Sequence, residues 1–134
     1  MQANKSRDTQ PELRLRSALH AMGLRYRVCR RPLPQLRRTV DVVFGPSRVA
    51  VEVRGCFWHG CPLHYREPQR NGAYWQAKVQ RTMARDAEIE AALAAQDWEL
   101  IVVWEHDSVA DAAELIRQVV TKRHPAARQA GPRD

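Results

Sequence analysis

An α/β domain, with a central mixed sheet flanked by helices, is the architecture this sequence predicts, and three observations predict it. Two β-branched runs, residues 39–44 and 48–54, are separated by Gly45-Pro46-Ser47 and read as a hairpin. A nearly continuous apolar run, residues 98–104, reads as a buried strand. Three stretches with helical signatures surround these strands, and helices packed on a sheet bury both kinds of apolar face.

Each element has its own signature. Thr9-Gln10-Pro11-Glu12 is a capping box with proline in the first turn, so a helix is predicted over residues 10–22. Leu15, Ala18, Leu19 and Met22 form its apolar stripe, and Gly23 stops it. A short strand follows over residues 24–29. Residues 30–38 carry Pro32, Pro34 and four arginines, Arg30, Arg31, Arg37 and Arg38, and read as a basic loop. After the hairpin, residues 55–71 are rich in Gly, Pro, Cys and His and lack periodicity. A long helix is predicted over residues 73–96, with Lys78, Arg81 and Arg85 on one face. A last helix is predicted over residues 108–122.

The 134 residues fit one domain, assigned to residues 1–123, with residues 124–134 expected to form a disordered tail. The formal net charge of +7 favours a polyanionic partner, of which nucleic acid is the commonest. No apolar run approaches a membrane span, and the polar N-terminus lacks the apolar stretch of a signal peptide, so a cytoplasmic protein without membrane contact is expected. The three cysteines, Cys29, Cys56 and Cys61, argue against a disulfide framework and leave metal binding open.

The hairpin carries the most informative residues. Asp41 lies in one apolar strand; Glu52 and Arg54 lie in its partner, two apart and so on one face. A carboxylate on an apolar strand is costly unless paired or bound to a cation. Two such carboxylates brought together make a hard-oxygen site suited to magnesium, and a cation such as Arg54 beside it stabilises charge on a phosphate. The alternative is that Asp41 and Glu52 pair with local arginines. Cys56, Cys61, His64 and His106 would complete a tetrahedral, fully occupied and therefore structural zinc site. His59 is left over and suits proton transfer near neutrality; it could instead be a zinc ligand. Phe57 and Trp58 are adjacent large aromatics of the kind that wedge into a duplex, or pack on the helix that holds Trp75.

The carboxylate, some ten residues, then acid-x-base resembles the PD-(D/E)XK nuclease signature. A more specific resemblance lies in Gly55-Cys56-Phe57-Trp58-His59-Gly60-Cys61, then Tyr74-Trp75 with Lys78, Arg85-Asp86, and Trp98 through Val103-Trp104-Glu105. These residues resemble the very short patch repair (Vsr) endonucleases. That resemblance implies a restriction-endonuclease-like fold with a structural zinc, and magnesium-dependent nicking 5′ of the thymine in T·G mismatches. It implies that Asp41 binds the catalytic metal, that Glu12 supports it through water, and that His59 activates the attacking water. It also implies that Phe57 and Trp58, joined by Met1, intercalate beside the mismatch, and that the Val53 carbonyl faces the metal. Well-known members carry an apolar residue and a histidine where this chain has Glu52 and Arg54. The zinc set differs too: Cys61 stands where a histidine is common, and His64 and His106 stand where cysteines are common.

The function expected is therefore DNA nicking at a T·G mismatch by a monomer associated with the nucleoid, with other mismatch-repair proteins as further partners. Arg37, Arg38, Lys78 and Arg81, with the rest of the basic loop, would hold the DNA backbone. Two rivals are a related nuclease that cuts matched or modified DNA in a restriction or defence system, and a zinc-stapled DNA-binding module without catalysis.

Overall fold

A computed structural model of the chain describes residues 9–55 and 72–124. Its elements follow the order α1 (Gln10–Ala21), β1 (Arg27–Arg30), β2 (Val40–Phe44), β3 (Val49–Arg54), α2 (Gly72–Ala95), β4 (Glu99–Trp104) and α3 (Val109–Arg123). The strands form one sheet in the order β1-β2-β3-β4. The first two pairings are antiparallel, whereas β3 and β4 run parallel, with α2 in the crossover between them. The expected mixed sheet is present.

Local chemistry explains the element ends. Thr9 and Glu12 form the capping box predicted for α1. The helix ends at Ala21, with Gly23 at φ +80 in the left-handed region that closes helices. β1 begins three residues later than residues 24–29 predicted, because Leu24 and Tyr26 pack against the cluster beneath α1. The Tyr26 hydroxyl also donates to the Arg16 carbonyl of α1. Ser108 caps α3 by accepting from the Asp111 N–H at 3.2 Å.

The helices lie on both faces of the sheet. Leu15 and Leu19 of α1 and Ile116 and Val120 of α3 share one cluster with Val42, Phe44, Val49, Val51, Ile101 and Val103. Ile89 and Leu93 of α2 share the other with Leu33, Val40, Val43 and Ala50. The alternation expected along β2 breaks at one place. Val42 and Phe44 face α1 and α3, yet Val40 joins Val43 on the α2 side. The break falls at Asp41. By register, Asp41 lies opposite Cys29, whose φ of +50 is left-handed. Strained backbone of this kind clusters at functional sites.

The hairpin turn is anchored by the C-terminal end of α3. The buried Ser47 hydroxyl donates to the Val120 carbonyl at 3.0 Å, and Arg123 Nε donates to the Ser47 carbonyl at 2.9 Å. Ile116, fully buried between α3 and the sheet, carries more of the core. Ile116→Ala is expected to destabilise the fold by about 2–5 kcal/mol in denaturant unfolding, whereas Ser47→Ala costs about 1 kcal/mol.

Candidate active site

The ladder between β2 and β3 stops at Val42 and Val51. Beyond it the Val53 N–H needs an acceptor, and the Asp41 carboxylate supplies one: Val53 N–H donates to Oδ2 at 2.6 Å. Asp41 is thus held at the rung where the two strands part. The Arg48 and Arg54 carbonyls accept from the Glu99 and Glu105 N–H groups on the β4 side. By backbone alternation, the Val53 carbonyl points back toward β2.

Glu12 reaches the same place from α1. Its Oε1 accepts the Thr9 N–H at 3.3 Å, while Oε2 is buried without a hydrogen-bond donor. Two carboxyls therefore meet in a largely buried site. Burial pushes the Asp41 carboxyl up to about 7, against the lowering effect of the Val53 N–H. The charges of Glu12 and then Glu52, and a hydrogen bond to Glu12 when one carboxyl is protonated, add to the rise. Among the described residues neither Asp41 nor Glu12 has an ion pair.

Glu52 is engaged differently from the arrangement the spacing predicts. Its Oε2 accepts from Arg38 Nη2 at 2.9 Å, and its Oε1 accepts from Arg54 Nε and Nη2 at 3.2 and 3.0 Å. Asp86 of α2 closes the set: Arg38 Nη2 donates to its Oδ1 at 2.8 Å, and Arg54 Nε lies 3.6 Å from its Oδ2. Arg38 Nη1 also donates to the Arg85 carbonyl. Burial opposes the Arg38 charge, but the Asp86 hydrogen bond and the fields of Glu52 and Asp86 outweigh it and raise its pKa. Among the described residues two acids and two guanidiniums balance in this buried network, and it locks Arg54 at the end of β3.

Asp86 entered the sequence reading only as part of the family resemblance, with no role of its own. Its signal was there: Val79, Asp86, Ile89 and Leu93 share the buried stripe of α2, and an acid on such a stripe requires a partner. Arg38, expected at the DNA backbone, is half-buried in this network. Arg37, Lys78 and Arg81 are exposed, and Lys78 lies over the Trp75 ring at 5.8 Å. His106 follows β4, stacked on Trp104 with its Nε2 3.4 Å from Asp107. Met1, Cys56, Phe57, Trp58, His59, Cys61 and His64 lie outside the described residues, as does the predicted tail after His124. Among the described residues no group of three or more His, Cys, Asp or Glu is placed to hold a metal ion. Asp41 and Glu12 are the carboxylates that come together.

Comparison with known proteins bears on this geometry. The profile of the family described as DNA mismatch endonuclease Vsr matches residues 1–64. The chain is 41% identical over 118 residues to the type II nicking enzyme V.NaeI of Lentzea aerocolonigenes, covering 87% of this chain and 71% of that protein. The chain belongs to the Vsr endonuclease family. It is also 42% identical over 106 residues to the type II nicking enzyme V.XorIIP of Xanthomonas oryzae pv. oryzae, covering 78% of this chain and 76% of that protein. With the DNA mismatch endonuclease Vsr of Escherichia coli K12 it shares 34% identity over 107 residues, 78% of this chain and 66% of that protein. This Vsr-family protein is a DNA endonuclease. Among its described residues no helix is long and apolar enough to cross a membrane.

The Asp41 environment has a consequence for stability. An acid whose folded-state pKa is raised stabilises the fold below its unfolded value, near pH 4, and that contribution is lost as pH climbs through about 7. In buffer free of divalent ions, Asp41→Asn is expected to flatten this part of the pH–stability profile. It should melt several degrees above the wild type on the alkaline side. Thermal melts across pH check this; coincident profiles for the two proteins would refute the buried-carboxylate account.

Proposed function

We propose that the protein nicks double-stranded DNA 5′ of the thymine in a T·G mismatch, with magnesium at Asp41. The observation that carries this reading is the meeting of Asp41 and Glu12. Two largely buried carboxylates without an ion pair, one with an oxygen lacking any donor, fit a hard divalent cation. Asp41 and the Val53 carbonyl would hold the ion, with Glu12 acting through water. Bound there, magnesium would supply Lewis-acid stabilisation of negative charge on the scissile phosphate.

The chain's own residues have separable parts in this reaction. The Val53 N–H fixes the Asp41 carboxylate so that its second oxygen is free to ligate. Glu52 and Asp86 both engage the Nε side of the Arg54 guanidinium, which leaves Nη1 to a phosphate oxygen. A preoriented cation of this kind stabilises charge as it develops in the transition state. Direct ligation by Glu52, the other role its spacing allows, would require it to release a guanidinium. His59 would assist proton transfer. Phe57 and Trp58, with Met1, would wedge into the easily unstacked mismatch, so that selectivity comes from deformability. Lys78, Arg81 and Arg37 would contact phosphates.

Structural zinc on Cys56, Cys61, His64 and His106 is part of the same proposal. Its support is the exit of the chain from β3. A Cβ placed at Gly55 would lie 3.8 Å from Glu105 Oε1, so the end of β3 lies beside the residue that precedes His106. The restriction-endonuclease-like PD-(D/E)XK assignment rests on the same hairpin and on the mixed sheet. A second reading, cleavage of matched or modified DNA in a restriction setting, is favoured by the names of the type II nicking enzymes among the relatives.

A nicking assay on T·G, matched and methylated duplexes with and without magnesium separates these readings; equal cutting of all three would replace the mismatch reading with the second. Asp41→Ala is expected to remove nicking while the fold persists, and unchanged nicking would refute the metal assignment. Arg54→Ala is expected to slow nicking by about a hundredfold or more. Glu52→Gln should lower the maximal rate but leave the magnesium concentration needed for half-maximal activity unchanged. A large rise in that concentration would return Glu52 to the metal.

A further inference from the structure

The edge strand β1 carries arginines that the site above does not use. Arg25, Arg27, Arg30 and Arg31 line an open groove of about 680 Å³, walled by Tyr26 and Trp98 and closed by the hairpin turn. All four arginines are exposed. Arg31 donates to the Pro34 carbonyl at 2.7 Å, which holds the loop against the groove. Among the described residues Arg25, Arg27 and Arg30 have no ion pair, and no carboxylate lines the groove. The acids that flank Trp98 in sequence, Asp97 and Glu99, face Arg48 and Arg123 instead.

The groove is placed to continue a track from the active site. Arg30 lies opposite Val40, next to Asp41, and Arg27 lies opposite Val43, toward the turn. At about 3.3 Å per residue, β1 from Arg27 to Arg30 extends about 10 Å along the sheet edge, with Arg25 and Arg31 beyond its two ends, a length over which one DNA strand presents more than one phosphate. Val43 belongs to the α2 side of the sheet, the side that holds Glu52, Arg54 and Asp86. Arginines on an edge strand also discourage edge-to-edge aggregation. That purpose needs charge on β1 alone; here the charge extends to Arg25 and Arg31 on either side of it.

We propose that this groove binds the phosphate backbone of the duplex that flanks the cut, independently of sequence. The proposal rests on the DNA endonuclease activity. Its test is read without magnesium, so it stands or falls separately from the mismatch and magnesium readings. The full chain is titrated against fluorescein-labelled T·G duplexes, long and short, in magnesium-free buffer without chelator across a sodium chloride series, with fluorescence anisotropy as the signal. Arg25→Gln/Arg27→Gln is expected to make the slope of log K against log salt shallower by about two on the long duplex. It should also abolish the wild type's preference for the long duplex over the short one. Arg25→Lys/Arg27→Lys should restore both, which separates charge from packing. Arg117→Gln/Lys122→Gln on α3 removes the same net charge elsewhere. If the groove variant matches the wild type, or changes no more than the α3 control, the groove does not bind DNA.

Discussion

The active end of this sheet depends on a backbone amide that has no backbone partner. Where β2 and β3 separate, the Val53 N–H would be left unsatisfied, and the Asp41 carboxylate accepts it at 2.6 Å. This single contact sets the position of the acid, the point at which the hairpin opens and the direction of the Val53 carbonyl. It also places Asp41 against Glu12, because the change of face at the same rung turns the strand toward α1. The left-handed Cys29 on the neighbouring strand marks the same rung. A local irregularity, rather than the regular ladder, thus positions the acid.

Charge is arranged oppositely on the two sides of that rung. On the α2 side, Arg38, Glu52, Arg54 and Asp86 neutralise one another in a buried network. A buried network of this kind adds little net stability, since desolvation offsets most of the attraction. What it does is fix the orientation of Arg54 and tie the basic loop, β3 and α2 together. On the α1 side, Asp41 and Glu12 have no such compensation, and burial raises the Asp41 pKa to about 7. The first side is balanced among its described residues; on the other, the charge of two carboxylates is left to a cation from solution in the proposed reaction.

Much of the fold was legible because its elements are bounded by local chemistry. The Thr9–Glu12 box, Gly23, the Gly45-Pro46 turn and the apolar run before Trp104 each act within a few residues. The strand after α1 was displaced because Leu24 and Tyr26 have apolar side chains suited to a strand, yet pack against the cluster beneath α1. The site was partly legible. Alternation put Glu52 and Arg54 on one face, which is observed, but strict alternation cannot reveal the change of face at Asp41. The partnership of Glu12 with Asp41 depends on how α1 crosses the sheet, a tertiary fact that only the family resemblance anticipated. Asp86 was legible in principle as an acid on a buried helical stripe, and its partners Arg38 and Arg54 lie far from it in sequence.

The most direct test of the account is calorimetric titration of magnesium into the DNA-free protein near neutral pH, compared with Asp41→Asn and Glu12→Gln. The account predicts one binding event in the wild type that is lost in Asp41→Asn and weakened in Glu12→Gln. Identical magnesium binding by the wild type and Asp41→Asn would contradict it.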